Sequence, residues 1–432
     1  MTKNYVYFAA PLLLWGLFIF CTKADATNIF STKVHTQATD TLMYDQVRSS
    51  VIDQLSKEPL AYASVTVDGS NIATITNSEG EFLLKIPKST RKNSITISFI
   101  GYRDKQIDLD VFKNEKAKIE LEPLIINLHE IKITPENPEL IIRTAMHNRV
   151  KNYLDVPTEM ITFYRETIKR RKTYVSLAEA VIQLSKQPYT SIKEDAIQLY
   201  KARKNTDYTK LDTLEFKLQG GPFSAIYLDI MKYPEMIFTE DMLGNYEFKL
   251  DNMTKINDRL IYVLSFKQHS FTSDPLYFGK LYIDAESYAV TSATFNLNIS
   301  NKILASEMFI KRKPQSSSVY PTLATYHIDY REKNGKWYLS YARGHITFKI
   351  DWKRRLFNSN YESTIEMAIT DWKVRTLIDT PLIDKIRPST VLSDQISGFA
   401  DRNFWGEYNV IEPEKPIGNA IKKIQKKLEQ EK

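Results

Sequence analysis

The residues YHIDYREKNGKWYLSYARGHITFKI, at positions 326–350, decide the fold class of the larger part of the chain. On both sides of Asn334-Gly335, apolar and aromatic residues alternate with polar ones, which is the period-two pattern of half-buried strands. Both residues of an Asn-Gly pair can adopt positive φ, so they favour a two-residue hairpin turn. This stretch therefore predicts two long antiparallel strands.

Similar strand-like runs flank the hairpin. The chain contains 25 Tyr and 21 Phe, residue types that favour pleated, half-buried strands. One run, Tyr174–Ser185, fits a helix as well as a strand. We therefore expect a long-stranded antiparallel sheet. The remaining predicted runs are Ile161–Lys169, Tyr246–Leu250, Leu260–Lys267, Gly279–Ala285, Ala289–Asn298 and Ser363–Val374.

A helix is predicted to lead into this sheet. Asn137 suits the N-cap, Pro138 suits the first turn, and apolar residues recur at helical spacing as far as Leu154. The helix is too apolar on one face to stand alone in water, so we expect it to pack against the sheet. The sequence thus predicts a β-rich α+β domain over 136–412, with a leading helix at 138–154 and a curved sheet.

Two further helices are expected. A short one is predicted around Phe223–Met231, after Gly220-Gly221, a pair better explained as a turn than as a phosphate-binding loop. The last segment, 413–432, is predicted to be a mainly charged helix. Its thin apolar stripe suits packing on a domain surface and consists of Ile417, Ala420, Ile421, Ile424 and Leu428.

Residues 44–134 have a different pattern, with short apolar alternations that are cut by turns. Ala63, Val65 and Val67 line one face of a strand, and the runs 82–86 and 95–99 repeat the alternation. Turn-forming residues lie between them at 68–71 and 77–80. About seven short strands in this length predict an all-β sandwich, without catalytic residues.

Three blocks of this region resemble a known family. KEPLAYASV at 57–65, TNSEGEF at 76–82 and SFIGY at 98–102 are similar to the carboxypeptidase-regulatory-like domain of Bacteroidota envelope proteins. The resemblance implies a transthyretin-like β-sandwich. The sequence departs from the family at 48–53, where RSSVID lacks the glycine that usually precedes the first Val-x-Asp.

Three later motifs resemble the downstream part of the same broad group of proteins, whose function is unknown. They are FYRET at 163–167, GKLYID at 279–284 and FWGEYNVI at 404–411. A leading helix followed by long antiparallel strands is also similar to periplasmic lipoprotein carriers, whose curved sheet holds acyl chains. This second likeness is one of architecture alone.

The N-terminus is predicted to be a secretory signal. Lys3 lies in a polar start, an apolar run follows from Val6 to Cys21, and Ala24-Asp25-Ala26 suits cleavage after Ala26. Residues 27–43 are then a polar linker. The alternatives are an uncleaved anchor and a lipoprotein acylated at Cys21, although Phe20 stands where a small residue is expected. Cys21 is the one cysteine of the sequence, so cleavage removes all thiol chemistry.

The net charge of the chain indicates which classes of partner it can bind. The formal net charge is +7 and the isoelectric point is about 9.0. Predicted export argues against nucleic acid as a partner, so the basic net charge favours anionic envelope lipids or polysaccharide. Two basic clusters, Lys169–Lys172 and Lys353–Arg355, are expected at charged loop tips, with contact to anionic head groups or sugars as their functional alternative.

The sequence lacks the common catalytic motifs. It contains no H-E-x-x-H and no G-x-S-x-G. A uniform two-residue hairpin places Ala324 opposite His345, which predicts that His327 and His345 face opposite sides of the sheet and bind no common metal. Four acidic residues are candidates for paired carboxylates but are better explained as a solvated strand face: Asp351, Glu362, Glu366 and Asp371.

The sequence therefore predicts a mainly β, exported protein of the periplasm or outer membrane, with no catalytic, cofactor or metal residues. Three functions remain open. A non-catalytic binding or carrier protein for a lipid-like or glycan ligand predicts an apolar cavity. A structural accessory of an outer-membrane assembly predicts an exposed apolar patch or a free sheet edge. An unrecognised hydrolase predicts a polar cleft with convergent titratable groups.

Overall fold

The hairpin at Asn334-Gly335 lies in the middle of a very large antiparallel sheet. The computed structural model describes residues 43–90, 94–113, 118–124, 137–207, 209, 221–256, 259–310, 316–353, 358–376, 385–387, 396–401 and 403–430. The predicted signal at 1–26 and all but the last residue of the predicted linker lie outside these residues. Within them, Asn334 and Gly335 both have positive φ, 54° and 76°, as the turn prediction requires.

Seven strands of the described residues form the N-terminal sandwich. One sheet has three strands in the order β4-β1-β7, and the other has four in the order β3-β2-β5-β6. Apolar residues from the two inner faces make a separate core around Val51, Val65, Phe82 and Ile97. The strands are β1 (Tyr44–Asp53), β2 (Ser64–Val67), β3 (Ala73–Ile75), β4 (Glu81–Pro87), β5 (Ser94–Ser98), β6 (Lys105–Asp108) and β7 (Lys118–Leu121).

The larger sheet contains twelve strands of the described residues. The ambiguous run at 174–185 is a strand, and the mainly β prediction with a long-stranded antiparallel sheet is confirmed. The strands are β8 (Thr158–Arg170), β9 (Thr173–Lys186), β10 (Ala196–Thr206), β11 (Tyr246–Leu250), β12 (Thr254–Ile256), β13 (Arg259–Gln268), β14 (Tyr277–Asp284), β15 (Val290–Leu297), β16 (Ser317–Lys333), β17 (Lys336–Trp352), β18 (Ser359–Val374) and β19 (Lys385–Ile386).

The order of these strands is β11-β13-β14-β15-β16-β17-β18-β8-β9-β10-β19, with β12 beside β13. Strands β13 to β18 follow one another as a meander, and β18 then pairs with β8, which is far away in sequence. The register shifts within the pairs β8–β9, β9–β10, β14–β15, β16–β17 and β18–β8. Such bulges bend and twist the strands that carry them, which agrees with the expected curvature.

Short helices cover one face of this sheet. Asn137 caps α1 as predicted, because its side-chain oxygen accepts a hydrogen bond from the Glu139 amide. The expected helix at 138–154 is divided into two, and the one expected at 223–231 is shorter. These helices are α1 (Pro138–His147), α2 (Arg149–Asn152), α3 (Pro222–Ile226), α4 (Glu240–Leu243) and α5 (Lys302–Phe309), and the longer α6 (Lys415–Gln430) lies on the opposite face. None of the described helices is both long and apolar enough to cross a membrane.

A buried polar cluster holds the segment around α3 to the sheet on this face. Lys186 is fully buried and its Nζ lies 2.8 Å from Asp195 and 2.7 Å from Asp229. The hydroxyls of Tyr189 and Tyr330 both donate to Asp229. These charges are compensated and hydrogen-bonded, as buried ions must be. The large apolar core of this face surrounds them.

The opposite face carries the sandwich, the segment 404–412 and helix α6. Ile75 of β3 shares a small apolar cluster with Phe163, Tyr341 and Val410. Helix α6 packs its buried Ile417 and Ile421 against Leu177 of β9. The apolar stripe predicted for this helix therefore meets the sheet.

One side chain of this face also completes the sandwich. Strand β4 lies at the edge of its three-stranded sheet. The Asn409 amide accepts a hydrogen bond of 2.7 Å from the Lys85 backbone N–H and donates one of 2.9 Å to the Lys85 carbonyl. Asn409 thereby satisfies the two backbone groups that a neighbouring strand would otherwise pair.

Candidate binding site between the sandwich and the sheet

An aromatic contact fixes the sandwich on the sheet. The ring of Tyr62, between β1 and β2, stacks on that of Tyr341 in β17 with centroids 5.3 Å apart, and the Arg343 guanidinium lies 5.5 Å from the Tyr62 centroid. Tyr62 has a φ of 67°, which is costly for a residue other than glycine. Backbone strain of this kind persists where the surrounding contacts hold the residue in place.

Polar contacts join the same two parts. Arg331 in β16 donates from Nη2 to the Ser64 hydroxyl, 2.9 Å away. Lys333 donates to the carbonyl of Ser70, and the Asn71 amide donates to the carbonyl of Trp372. These contacts place Ser64 of β2 and Ser98 of β5 opposite strands β14 to β17.

A cleft of about 370 Å³ lies between the two parts. Its aromatic wall comes from Tyr62, Phe99, Tyr282, Trp337 and Tyr341. Hydroxyl, imidazole and charged side chains interrupt this wall. They belong to Ser64, Ser98, Ser292, Thr294, His327, Asp329, Arg331, Glu332 and Ser340.

The polar groups on the floor are connected. His327 Nε2 lies 2.7 Å from Asp329 Oδ2, and the Ser292 hydroxyl donates to Asp329 Oδ1 at 2.7 Å. Arg331 differs from them, because its buried Nε has no hydrogen-bond partner within the described part of the chain. A buried donor without a partner is costly, so a polar ligand that accepts from it gains affinity.

The prediction that His327 and His345 face opposite sides is wrong. The hairpin register holds from Lys333↔Lys336 to Tyr330↔Leu339, and then a bulge shifts it so that Asp329 pairs with Tyr341. Thr325, rather than Ala324, therefore lies opposite His345. Directly opposed residues share a face, and so do residues two apart on one strand, so both histidines project toward the sandwich side.

The shared face does not make the histidines a metal site. His327 is held by Asp329, and His345 Nδ1 lies 2.9 Å from the Thr364 hydroxyl. The described residues contain no group of three or more His, Cys, Asp or Glu side chains that could hold a metal ion. Burial lowers the pKa of His345, helped by the nearby Arg343 charge.

A row of alternating charges crosses the sheet beside the cleft. Consecutive members lie directly opposite one another on neighbouring strands, in the order Arg203, Glu179, Arg165, Glu366 and Arg343. Arg165, only 2% exposed, donates to Glu179 at 2.8 Å and to Glu366 at 2.9 Å. The two carboxylates outweigh desolvation and raise the pKa of Arg165.

The expectation of a solvated face is therefore wrong for Glu366, which is buried in this row because a second layer covers the strand. The other three candidate carboxylates have separate partners. Glu362 lies 3.8 Å from Lys169, Asp351 accepts from the Tyr320 hydroxyl, and Asp371 accepts from the Trp372 backbone. These contacts do not form an acid-and-base pair.

The charged row also explains why two of the sequence motifs occur together. Phe163 of FYRET meets the ring of Trp405 from FWGEYNVI edge-on at 5.7 Å. Arg165 from the first motif donates to the carbonyl of Ile411 from the second at 2.7 Å. Arg203 lies over three rings of this region, Phe399, Phe404 and Trp405. Both motifs thus serve the docking of the C-terminal segment.

The basic clusters lie away from the cleft. Arg171 and Lys172 form the tip of the β8–β9 hairpin, as expected, and Arg171 has positive φ. Lys353 follows β17, whereas Arg354 and Arg355 lie outside the described residues. Gly221 precedes α3 with a φ of 48°, consistent with the predicted turn.

Sequence reasoning missed Tyr62 and Arg331 as cleft residues. Tyr62 lies inside the block 57–65 that carries the family resemblance, and this was the one available signal. Arg331 reaches the cleft from a hairpin arm whose pattern predicts only an exposed polar position. Burial raises the pKa of Tyr62 to about 12, so its hydroxyl stays neutral in the cleft.

The sandwich itself matches a known family. Residues 47–133 match the family model of the CarboxypepD_reg-like domain. The predicted resemblance to the carboxypeptidase-regulatory-like domain is therefore confirmed, without its assignment to Bacteroidota. The CarboxypepD_reg-like domain supplies one wall of the cleft through Tyr62, Ser64 and Ser98. The comparison with curated proteins found no match for the chain.

Solved structures give only distant likenesses. A lipoprotein-sorting protein domain from Vibrio parahaemolyticus is 11% identical to this chain, with a TM-score of 0.25. The match covers 56% of this chain and 95% of the Vibrio chain. A LolA superfamily protein from Nitrosomonas europaea is 10% identical, with coverages of 58% and 98% and a TM-score of 0.20. A DUF1329 family protein from Desulfovibrio piger is 8% identical, with coverages of 56% and 93% and a TM-score of 0.22. Such TM-scores carry no argument about function.

Proposed function

We propose that the chain is a non-catalytic binding protein of the cell envelope, and that the cleft between the CarboxypepD_reg-like domain and the sheet holds a glycan-type ligand. The observation that carries the proposal is the chemistry of the cleft, in which aromatic faces alternate with hydroxyl, imidazole and guanidinium groups. Ring faces suit the flat apolar side of a sugar, and the polar groups suit its hydroxyls.

An acyl chain is less well matched to this cleft. Lipid tails are held by continuous apolar lining, since each buried methylene contributes about 0.8 kcal/mol and each desolvated polar group opposes it. Here His327, Asp329 and Arg331 interrupt the aromatic wall. The binding experiment below includes lipid vesicles, which test for a lipid-like ligand.

A hydrolase is also less well supported. Ser292 is 1% exposed, and its hydroxyl oxygen lies 2.7 Å from Asp329 Oδ1 and 3.0 Å from the Ile328 carbonyl oxygen, so its one proton is directed to these acceptors instead of to His327. A serine nucleophile needs its hydroxyl free to donate to the base. The His327–Asp329 pair is therefore better suited to orient a ligand than to activate Ser292.

The cellular location of the protein forms part of the same proposal. Cleavage after Ala26 would export the chain, so we propose the periplasm or the outer-membrane surface as its place of action, with no role in nucleic-acid binding. N-terminal sequencing of the mature protein tests the export step. A mature terminus at Cys21 carrying lipid would replace export by cleavage with lipoprotein anchoring.

The binding proposal is tested by filling the cleft. Ser98 lies at its rim on β5, so Ser98→Trp would block the space without touching the charged row. The matched control is Lys118→Trp, at an exposed position of β7. Both proteins are screened by calorimetry against acidic and neutral oligosaccharides and against phosphatidylglycerol vesicles.

We expect the wild type and the control to bind an oligosaccharide and Ser98→Trp to lose that binding. Binding to vesicles alone would replace the glycan with a lipid ligand. Oligosaccharide binding that survives in Ser98→Trp would place the site elsewhere. Cleavage of the oligosaccharide during incubation would establish the hydrolase instead.

A further inference from the structure

A second cleft adjoins the first. It has a volume of about 620 Å³ and lies between the sandwich turn at Ile100-Gly101 and strands β11, β13 and β14. Ile100 and Tyr282 line both clefts, so the two spaces meet at these residues. The backbone N–H of Gly101 donates to the Lys255 carbonyl at 3.0 Å, which fixes the sandwich wall above the junction.

Two rows of side chains run across the strands beneath the clefts, and all of their members except Ser265 line one cleft or both. In the first row, directly opposed residues follow in the order His327, Thr294, Lys280, Ser265 and Lys249. In the second row, Asp329, Ser292, Tyr282 and Val263 are likewise opposed. Neighbouring strands lie about 4.8 Å apart, so the four steps from β16 to β11 span about 19 Å.

Cationic groups lie at both ends of this floor, beside the carboxylates of Asp251, Asp329 and Glu332. Lys249 and Lys280 are exposed at the β11 end, and Lys280 Nζ lies 3.0 Å from Asp251. The Ser265 hydroxyl, followed by the Lys280 charge, holds the pKa of Asp251 below its usual range, so Asp251 stays ionised. Arg331, with its unsatisfied Nε, lies at the other end.

We propose, on the basis of the function proposed above, that the two clefts are one groove for a linear oligosaccharide that carries an anionic substituent. The chain of the ligand runs across β16 to β11, with one anionic group at Arg331 and the far end beside Lys249. Tyr282 at the junction and Tyr62 at the Arg331 end provide the ring faces.

A peptide fits this floor less well. Extended peptides are bound mainly by adding a strand to a sheet edge, where main-chain groups are free. The groove floor consists of strand faces, where the backbone groups are already paired within the sheet. Recognition must therefore come from side chains, and each hydroxyl of a saccharide can both donate to and accept from them.

The experiment measures binding of galacturonic acid, trigalacturonate and hexagalacturonate to the full chain by calorimetry, with methyl-esterified hexagalacturonate as the neutral match. We expect the hexamer to bind at least about tenfold more tightly than the monomer, a difference of about 1.4 kcal/mol. We expect esterification to weaken hexamer binding, and Arg331→Gln to reduce the difference in affinity between the acid and its ester.

Two exposed lysines, one in the groove and one outside it, can be substituted without disturbing the core. Lys249→Gln should weaken hexamer binding about threefold, as expected for one exposed charge, and leave monomer binding unchanged. Lys422→Gln on α6 changes the charge equally, away from the groove, and should change neither. Lys249→Gln acting equally on monomer and hexamer would overturn the proposed orientation.

The remaining outcomes separate the two proposals. Equal affinity for monomer and hexamer would overturn the extended groove while leaving a sugar site in the first cleft. Equal affinity for the acid and its ester would overturn the anionic substituent. Hexaglutamate binding as tightly as hexagalacturonate would replace the saccharide with a peptide. Failure of every saccharide to bind would overturn the proposed function itself.

Discussion

Arg165 Nη2 lies 2.7 Å from the carbonyl oxygen of Ile411 and donates a hydrogen bond to it. The contact joins the first strand of the large sheet to the segment that precedes α6, across 246 positions of the sequence. The same guanidinium also binds Glu179 and Glu366, so one side chain satisfies three acceptors from three parts of the chain.

The first prediction concerns this arginine. Arg165→Met leaves Glu366 without its guanidinium partner in a buried site, and we expect the free energy of unfolding to fall by about 3–5 kcal/mol. Urea unfolding followed by circular dichroism measures the change. Arg143→Met on α1, where the partner Glu139 is surface-exposed, should cost less than about 1 kcal/mol. Equal losses in the two variants would show that the buried row of charges contributes no more to the free energy of unfolding than an exposed ion pair.

The second prediction concerns two glycines with opposite surroundings. A Cβ on Gly279 would lie 2.2 Å from the carbonyl oxygen of Thr294, so Gly279→Ala must push β14 from β15. We expect a loss of about 1–3 kcal/mol, typical of overpacking. A Cβ on Gly418 in α6 would meet no atom of the described residues within 4 Å, so Gly418→Ala should stabilise by up to about 1 kcal/mol. Thermal unfolding should show a lower Tm for Gly279→Ala and a higher Tm for Gly418→Ala than for the wild type.

The third prediction concerns pH. Burial lowers the pKa of Lys85 to about 8, against an ordinary value of 10.5. Between these values the unfolded chain binds a proton that the folded chain does not, so stability should rise with pH, by at most about 1.4 kcal/mol per pH unit. Lys85→Met should flatten the rise measured from pH 8 to about 9.5, below the titration of unfolded tyrosine. An unchanged slope in the variant would assign the effect to other groups.

The fourth prediction compares two buried tyrosines of the hairpin. The Tyr330 hydroxyl donates to Asp229 at 2.9 Å and accepts from the Met231 amide, so Tyr330→Phe should cost about 1–3 kcal/mol. Tyr338 is equally buried, and its ring meets that of Trp372 edge-on at 5.1 Å; Tyr338→Phe keeps this ring contact and should cost less than about 1 kcal/mol. Chemical denaturation of both variants measures the difference. A larger loss in Tyr338→Phe would contradict the assigned roles.

Local patterns predicted much of this fold. Asn334-Gly335 specified its turn because only a few residue types accept positive φ at both central positions. The alternation around Val65 and Phe82 specified the sandwich because one face of each strand is buried and the other is not. Asn137-Pro138 specified the start of α1 through capping chemistry.

Long-range pairing and register were not predictable in this way. Nothing local in 359–374 indicates that this strand pairs with 158–170, because each would also fit beside other strands. The bulge at Asp329/Tyr330 changes which face His345 occupies, and no residue type there signals it. Glu366 has the same local pattern as an exposed acid, and only the covering layer makes it buried.

The amide of Asn409 on the backbone of Lys85 has a consequence for biosynthesis. The sandwich is translated first, but the group that closes its β4 edge is synthesised 324 residues later. Until then the emerging domain offers an open strand to any extended segment nearby, which is the usual starting point of aggregation. We therefore expect a chain that stops before Asn409 to accumulate as insoluble material, and a holding chaperone that covers the open edge to keep it soluble.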